Sequence, residues 1–184
     1  MPAHMKINPL VVALGGMIAM ASAMGIGRFV YTPILPFMTD ALALTKSQAG
    51  LIAAANYLGY FMGSLLGAAG FMGNNRRGWA LGALAASALS TGAMALTVSI
   101  PGFLILRFLG GGASAFVMVF GSAIVFDRLA SAGRPNLSHY HFGGVGIGIA
   151  ISALLVSGLA ASDIGWAGQW IASAAISLAA FIAV

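Results

Sequence analysis

Cysteine is absent from the 184-residue chain, which excludes disulfides, thiolate metal sites and cysteine nucleophiles. Charge is also scarce, since only 6% of the residues are charged and only three are acidic, Asp40, Asp127 and Asp163. A soluble domain carries roughly 25% charged residues. Because 60% of this chain is hydrophobic and its mean hydropathy is +1.00, it lacks the polar residues needed to cover a surface in water. We therefore expect the lipid bilayer to be its solvent.

No sequence motif of an enzyme is present. The chain has no H-E-x-x-H, no serine in a G-x-S-x-G context and no P-loop. His139 and His141 are two residues apart and point to different sides of a helix, which is poor geometry for one metal ion. Interfacial histidines are the favoured interpretation. The net charge of +5 comes from few residues and indicates membrane topology rather than nucleic-acid binding. We expect no enzyme, cofactor, bound metal or nucleic-acid partner.

Polar residues divide the chain into six apolar segments, each long enough to cross a bilayer as a helix. The predicted spans are residues 9–37, 47–72, 79–98, 101–126, 137–161 and 166–184. The connections between them are short, so neighbouring spans must run antiparallel. We therefore predict an all-α polytopic membrane protein in which residues 1–184 form a single six-helix bundle.

Lysine and arginine are distributed unevenly over the connections. One side of the predicted bundle carries only Lys46, and the other carries Lys6, Arg76, Arg77, Arg128 and Arg134. Because positively charged connections are retained in the cytoplasm, this distribution predicts that the N-terminus and the C-terminus are both cytoplasmic. The expected location is a bacterial inner membrane.

The first span has an alternative interpretation as a cleaved signal peptide. It begins near Lys6, continues as an apolar run and reaches the small residues Ala21-Ser22-Ala23, which suit a cleavage site. The apolar character nevertheless continues to Phe37, and cleavage would reverse the charge distribution of the remaining connections. A membrane span is therefore favoured.

Small residues recur at helical spacing inside the spans. The second and fifth spans show this most clearly, with Ala55, Gly59, Gly63, Gly67, Gly144 and Gly148. Since lipid gives helices no hydrophobic reason to associate, such faces favour close backbone approach. Tight packing is the favoured interpretation, and the alternative that smooth faces let helices rock stays open.

Two arginines interrupt otherwise apolar spans. Counting about 1.5 Å per residue from the middle of each span places Arg28 roughly 7 Å and Arg107 roughly 10 Å from the midplane, on the same side. An arginine at the bilayer centre costs at least about 2.5 kcal/mol on insertion scales, so it usually faces a partner or a watery cavity. For each arginine alone, two other interpretations are together equally favoured: the side chain snorkels outward, or it caps backbone carbonyls exposed by Pro33 and Pro36. The two prolines also predict a kink in the outer part of the first span.

No carboxylate lies within a span to neutralise these arginines, because all three aspartates lie at span ends. An unpaired cationic pair at one level suits an anion from outside the chain, such as a carboxylate or a phosphate. Ordinary packing is the favoured interpretation for any single tyrosine nearby. Hydroxyl and amide groups of Tyr31, Asn56, Tyr57 and Tyr60 are candidates for further contacts. The predicted substrate-binding residues are Arg28 and Arg107, with lesser contacts from Tyr31, Asn56 and Tyr60.

Several stretches resemble the major facilitator superfamily. The stretch "RFLGGGASA" resembles its fourth-span signature, with Arg107 as the arginine. The stretch "GNNRRG" resembles an incomplete form of the signature between the second and third spans. The usual acidic residue of that connection is absent, with Asn74 and Asn75 nearby. More narrowly, "MGIGRFVYTPILPFM" and "LTKSQAGLIAAANYLGYFMGSLLG" closely resemble the YbfB/YjiJ-type branch of the superfamily.

The resemblance implies a pair of three-helix inverted repeats, which together make the N-terminal half of the superfamily fold. No repeat is visible in the sequence. Arg28 and Arg107 are both followed by phenylalanine, but equivalent residues of two inverted repeats would lie at opposite depths, so this match is a coincidence. The first and fourth spans are implied to line the central cavity, so Arg28 and Arg107 would face the substrate path. Arg76 and Arg77 are implied to take part in gating at the cytoplasmic connection.

The implied function is a secondary transporter, or its N-terminal half, that moves a small organic solute by alternating access. The arginine pair favours an anionic solute. Because alternating access needs two bundles, the expected partner is either a C-terminal half or a second copy in a homodimer. The alternative is a non-transporting six-helix membrane partner, or regulatory half-transporter, which dimer-dependent flux would distinguish.

Overall fold

The computed structural model describes residues 8–69 and 75–184, and within these ranges the chain is helical without strands. Six helices in it are long and apolar enough to cross a membrane, which confirms the predicted all-α class and six spans. We number them span 1 to span 6: Pro9–Leu42, Lys46–Ala68, Arg76–Leu96, Ile100–Ser131, Pro135–Ala160 and Trp166–Ala183. Lys6 and Asn74 lie outside the described residues. The end of the bundle where span 1 begins is called the Asn8 end, and the opposite one the Asp40 end.

Polar side chains define where the spans begin. Asn8 accepts a hydrogen bond from the Leu10 amide, with Pro9 in the first helical position, where its missing N–H costs nothing. Thr45 and Gln48 form a reciprocal capping box at the start of span 2. The side chains of Asn75 and Ser99 cap spans 3 and 4 more simply, since each accepts one hydrogen bond, from the Gly78 and the Gly102 amide respectively. These caps satisfy amides that lie at the edge of the apolar region.

Spans 1 and 4 are not uniform α-helices. Span 1 consists of an α-helix Pro9–Met20, a π-helix Ala21–Ile26, a turn at 27–30 and an α-helix Tyr31–Leu42. Span 4 contains a π-helix Val117–Gly121 between the α-helices Ile100–Phe116 and Ser122–Ser131. Spans 3 and 5 each carry one 3-10 turn, Met94–Leu96 and Pro135–Leu137. The π-helices of spans 1 and 4 are wider than α-helical turns, and such π-bulges inside helices often mark functional positions.

The interruption in span 1 lies one turn before Pro33 rather than at the two prolines. Pro33 is the third residue of the helix that begins at Tyr31, where an amide donor is not needed, and its ring disfavours helical bonding of the preceding turn. Pro36 lies inside the helix. As a result, the carbonyl oxygens of Gly27 and Arg28 accept no backbone hydrogen bond among the described residues. This pair of free acceptors determines how the site is built.

Helix packing follows one pattern twice. Span 2 packs along span 4, and span 1 packs along span 5, while spans 3 and 6 contact each other. Exchanging spans 1, 2 and 3 with spans 4, 5 and 6 leaves this pattern unchanged. The two π-helices also exchange, because they lie in spans 1 and 4. This is the arrangement expected of two three-helix repeats.

Glycines make both packed pairs possible. A Cβ on Gly59 would overlap the carbonyl oxygen of Phe108, and one on Gly63 would lie 2.8 Å from the oxygen of Gly112. Between spans 1 and 5, Gly144 meets the Met17 backbone in the same manner. The backbones therefore touch directly, and the packing interpretation of these glycines is confirmed.

The largest buried apolar cluster lies toward the Asp40 end. It surrounds Tyr31 and includes Phe103 and Trp170, both fully buried. Large aliphatic side chains elsewhere point outward, and Leu154 and Ile182 are 75% and 77% exposed. In water this exposure would be costly, whereas in a bilayer these side chains are solvated by lipid. The cluster supports the segment of span 1 that carries Arg28.

Candidate functional site

Arg107 of span 4 is bonded to the interruption in span 1. It is only 5% exposed, and its Nη1 and Nη2 donate to the carbonyl oxygens of Gly27 at 3.1 Å and Arg28 at 2.8 Å. These are the two acceptors that the broken helix leaves free. Charge-assisted bonds of this kind are about twice as strong as neutral ones. Of the two alternatives open for Arg107, the geometry matches capping of backbone carbonyls.

Arg28 lies beside the guanidinium of Arg107, at the same level of the bundle, as the sequence predicts. Its guanidinium lies over the ring of Tyr60 at 4.0 Å from the centroid, with the rings of Tyr57 and Phe29 at 5.0 and 5.4 Å. Aromatic faces stabilise a cation without neutralising its charge. The Nε of Arg28 is buried and has no hydrogen-bond partner among the described residues, and the same holds for the Nε of Arg107. Arg28 is therefore held in place electrostatically while part of its donor set stays unused.

Tyr31 and Asn56 are occupied inside the bundle. The Tyr31 hydroxyl donates to the Ala49 carbonyl at 3.0 Å, and its ring lies 5.0 Å from the Arg107 guanidinium carbon. Asn56 is 1% exposed, and its Nδ2 donates to the Arg107 carbonyl at 2.9 Å. Both residues fasten Arg107 and its helix to neighbouring spans. Of the lesser contacts predicted from the sequence, only Tyr60 lies directly on Arg28.

Tyr57 and Phe29 complete the surroundings of Arg28, although neither is among the binding residues predicted from the sequence. Tyr57 is 56% exposed, the most open of the three aromatic rings around the arginine. Its position three residues before Tyr60 puts both rings on one helix face. That spacing is the signal that could have identified Tyr57 as an equal partner.

The basic connection at the Asn8 end contains the single ion pair among the described residues. Arg76 Nη1 lies 2.8 Å from Asp127 Oδ2, and the two side chains are 53% and 70% exposed. Asp127 thus supplies, from the end of span 4, an acidic partner for a connection that has none of its own. Arg77 has no carboxylate within 4.0 Å in the part of the chain that the structure describes.

This exposed ion pair is expected to add little to stability. Double-mutant cycles on such pairs give about 0.2–1 kcal/mol, so the coupling between Arg76→Ala and Asp127→Asn should lie below about 1 kcal/mol. Unfolding of the four proteins in a denaturing detergent series measures it. A coupling well above that value would show that the pair is desolvated when the protein is in its membrane.

The two histidines point to different sides of span 5, as their spacing predicts, and His141 is the one that points into the bundle. Its side chain is fully buried, and its Nε2 lies 3.0 Å from the Ser122 hydroxyl, whereas His139 is exposed. Span 5 turns His141 toward span 1, because Gly16 leaves room for the imidazole. Among the described residues no group of three metal-ligating side chains is found.

The comparison with known families concerns almost the whole chain. Residues 20–184 match the family described as "Uncharacterised MFS-type transporter YbfB". The match includes Arg28, Arg107 and every other residue of the site described above. No curated protein matches the chain. The protein is a multi-pass membrane protein, and it belongs to this family of major facilitator transporters.

Proposed function

We propose that this chain is a secondary-transporter unit that moves a small organic anion by alternating access. The observation that carries the anionic assignment is the state of Arg28. Its guanidinium has no carboxylate partner among the described residues, is held by aromatic faces and keeps an unpaired buried Nε. A guanidinium in a membrane-spanning segment is costly without a partner, and a carboxylate or phosphate from the substrate would supply one.

The site residues divide into two roles in this proposal. Arg28 and Tyr60 contact the solute, with Tyr57 at the rim. Arg107, Tyr31 and Asn56 set the span 1 backbone that carries Arg28, and Arg107 adds positive charge behind it. This division is supported by the hydrogen bonds, since the last three side chains already have partners within the bundle.

Alternating access requires a second bundle against which this one can rock. We propose a C-terminal six-helix half or a second copy of this chain as that partner. In this arrangement the Asn8 end faces the cytoplasm of a bacterial inner membrane, and Arg76 and Arg77 gate that side. The proposal is supported by the basic residues of the connections and by the wide exposed face of span 2 around Tyr57 and Phe61.

Flux measurements on reconstituted protein test the proposal. The protein is placed in liposomes, its assembly state is checked by native mass spectrometry, and uptake of a panel of small carboxylates and phosphate esters is compared with that of neutral analogues. Arg28→Ala is expected to lower anion uptake by about 10- to 100-fold, because a charge-assisted hydrogen bond contributes about 1.5–3 kcal/mol. Arg28→Lys should retain part of the uptake, since the charge remains but the fork does not.

A matched control is Leu154→Ala, which removes an apolar side chain that is 75% exposed and distant in sequence from the site. Its uptake should equal that of the parent protein. Equal uptake by Arg28→Ala would overturn the assignment of Arg28. Absence of flux from a stable dimer, and from the chain joined to a second six-helix half, would favour the alternative of a non-transporting membrane partner.

A further inference from the structure

A cavity lies at the Asn8 end, apart from the Arg28 site. Its volume is about 270 Å³, and it lies among spans 1, 3, 4 and 5, with Val184 at the end of span 6 also in its lining. Small and aliphatic side chains form its inner walls, including Ala19, Leu84 and Val117. Two arginines, Arg77 and Arg128, line it as well. Both lie near the ends of their spans, so the side of the cavity that they line is the one nearest the lipid headgroups.

The cavity extends inward from these arginines. Leu84 is seven residues beyond Arg77 on span 3, which corresponds to a depth of about 10 Å along the helix. Leu84 is 1% exposed and Val117 is also 1% exposed, so the inner wall is shielded by protein. The cavity therefore combines a cationic rim with an apolar interior, and it is long enough for a short alkyl chain.

Neither arginine of the rim belongs to an ion pair in the part of the chain that the structure describes. The single ion pair among the described residues joins Arg76 to Asp127, and neither Arg77 nor Arg128 has a carboxylate within 4.0 Å. Both side chains are exposed. An anionic group at the rim would meet two guanidinium groups, each with several N–H donors in a planar fork.

His141 gives the wall its one buried polar ring. It is fully buried, with Nε2 3.0 Å from the Ser122 hydroxyl and Nδ1 against Gly16 of span 1. The imidazole therefore belongs to the packed wall of the cavity, and the charged groups that face an occupant are the two arginines of the rim.

We infer that this cavity binds an amphipathic anion, a molecule with one carboxylate or phosphate head and an alkyl tail. The head pairs with Arg77 and Arg128, and the tail lies against Ala19, Leu84 and Val117. Two sources share this chemistry, a free fatty acid and a phospholipid whose acyl chain enters from the bilayer. The site is distinct from the proposed solute site, since it shares no residue with it.

Photolabelling tests this inference, because the positions of the labelled residues show where the anion binds. Purified protein in a non-ionic detergent is labelled with a diazirine-bearing octanoate, and the modified peptides are mapped by mass spectrometry. Labelling is expected to concentrate on the peptides around residues 15–19 and 117–125. The neutral alcohol analogue should label them about tenfold less, because it lacks the charge-assisted bonds to the rim. The double variant Arg77→Ala/Arg128→Ala should reduce octanoate labelling to the level of the alcohol.

Gly15→Leu closes the cavity without disturbing the fold. Gly15 lines the cavity, and a Cβ there meets nothing within 4 Å. The variant should keep the thermal stability of the parent and lose labelling by about tenfold or more, since each buried methylene contributes about fourfold to affinity. Gly158→Leu is the matched control, because Gly158 is an exposed helical glycine with the same open surroundings.

The two sources of the anion give different outcomes. Displacement of the label by free octanoate, with no phospholipid retained by the parent protein in native mass spectrometry, supports a fatty acid. Native mass spectrometry that shows a retained phospholipid, lost in Gly15→Leu, supports the bilayer source. Labelling spread evenly over exposed faces and unchanged in Gly15→Leu would overturn the site, and equal labelling by the alcohol would overturn its preference for an anion.

Discussion

Replacing Gly59 with leucine is expected to destabilise the bundle by about 3 kcal/mol, at the upper end for an overpacked interior position. The Cβ alone would overlap the carbonyl oxygen of Phe108, and backbone cannot move aside as a flexible side chain can. Span 2 would have to separate from span 4 along their common face. Because Asn56 and Tyr60 lie on the same helix, their contacts with Arg107 and Arg28 would loosen as well.

Unfolding in a series of denaturing detergent, followed by tryptophan fluorescence, measures this change. Gly50→Leu is the matched control, because Gly50 lies on the same helix and a Cβ there meets nothing within 4 Å. The control should be neutral or slightly stabilising, since leucine has the higher helix propensity. Similar stability of both variants would show that spans 2 and 4 separate readily in the membrane, and would favour the rocking interpretation of the small-residue faces.

Replacing Arg107 with methionine is expected to free the turn at 27–30. The variant leaves the carbonyl oxygens of Gly27 and Arg28 without partners in a buried region, which costs about 1–3 kcal/mol for each group, less the desolvation of the arginine that is removed. We expect a net loss of about 2 kcal/mol. Locally, amides 27–32 should exchange with solvent about tenfold faster or more, because this turn would open independently of the bundle.

Hydrogen–deuterium exchange with peptide mapping resolves that segment from the rest of span 1. Arg107→Lys should give an intermediate rate, since an ammonium group can donate to a carbonyl but lacks the fork that reaches two of them. Ile105→Met, at a position 60% exposed on the same helix, is the control and should leave exchange unchanged. Unchanged exchange in Arg107→Met would show that the aromatic and apolar cluster around Tyr31, rather than Arg107, holds the turn.

If Arg107 acts as we propose, its effect on transport is indirect. Arg107→Met would lower anion uptake through misplacement of Arg28, so uptake and exchange at residues 27–32 should change together across the variants. Arg28→Ala, in contrast, should lower uptake while exchange in the turn stays close to that of the parent. This difference separates the residue that contacts the solute from the one that positions it.

Local composition was enough to determine the solvent and the spans of this protein. A run of about 20 apolar residues is a property of one segment, and the cost of burying charge in lipid applies wherever that segment lies. The close packing of span 2 was predicted equally well, because glycine at every fourth position of a membrane helix favours direct contact with a neighbouring helix. That the two arginines lie at one level of the bundle followed from the rise of a helix alone.

The tertiary structure decided which partner each polar group finds. Arg107 and Gly27 are 80 residues apart in sequence, and nothing local to either shows that the broken turn presents two free carbonyls to this guanidinium. The same holds for His141, whose burial depends on space left by Gly16 in another span. Propensity and hydropathy act over one helix, whereas hydrogen bonds between helices depend on how the whole bundle aligns. The sequence therefore determined that two arginines lie in the membrane, and only the packing of spans 1, 2 and 4 assigned one to the backbone and left the other on aromatic rings.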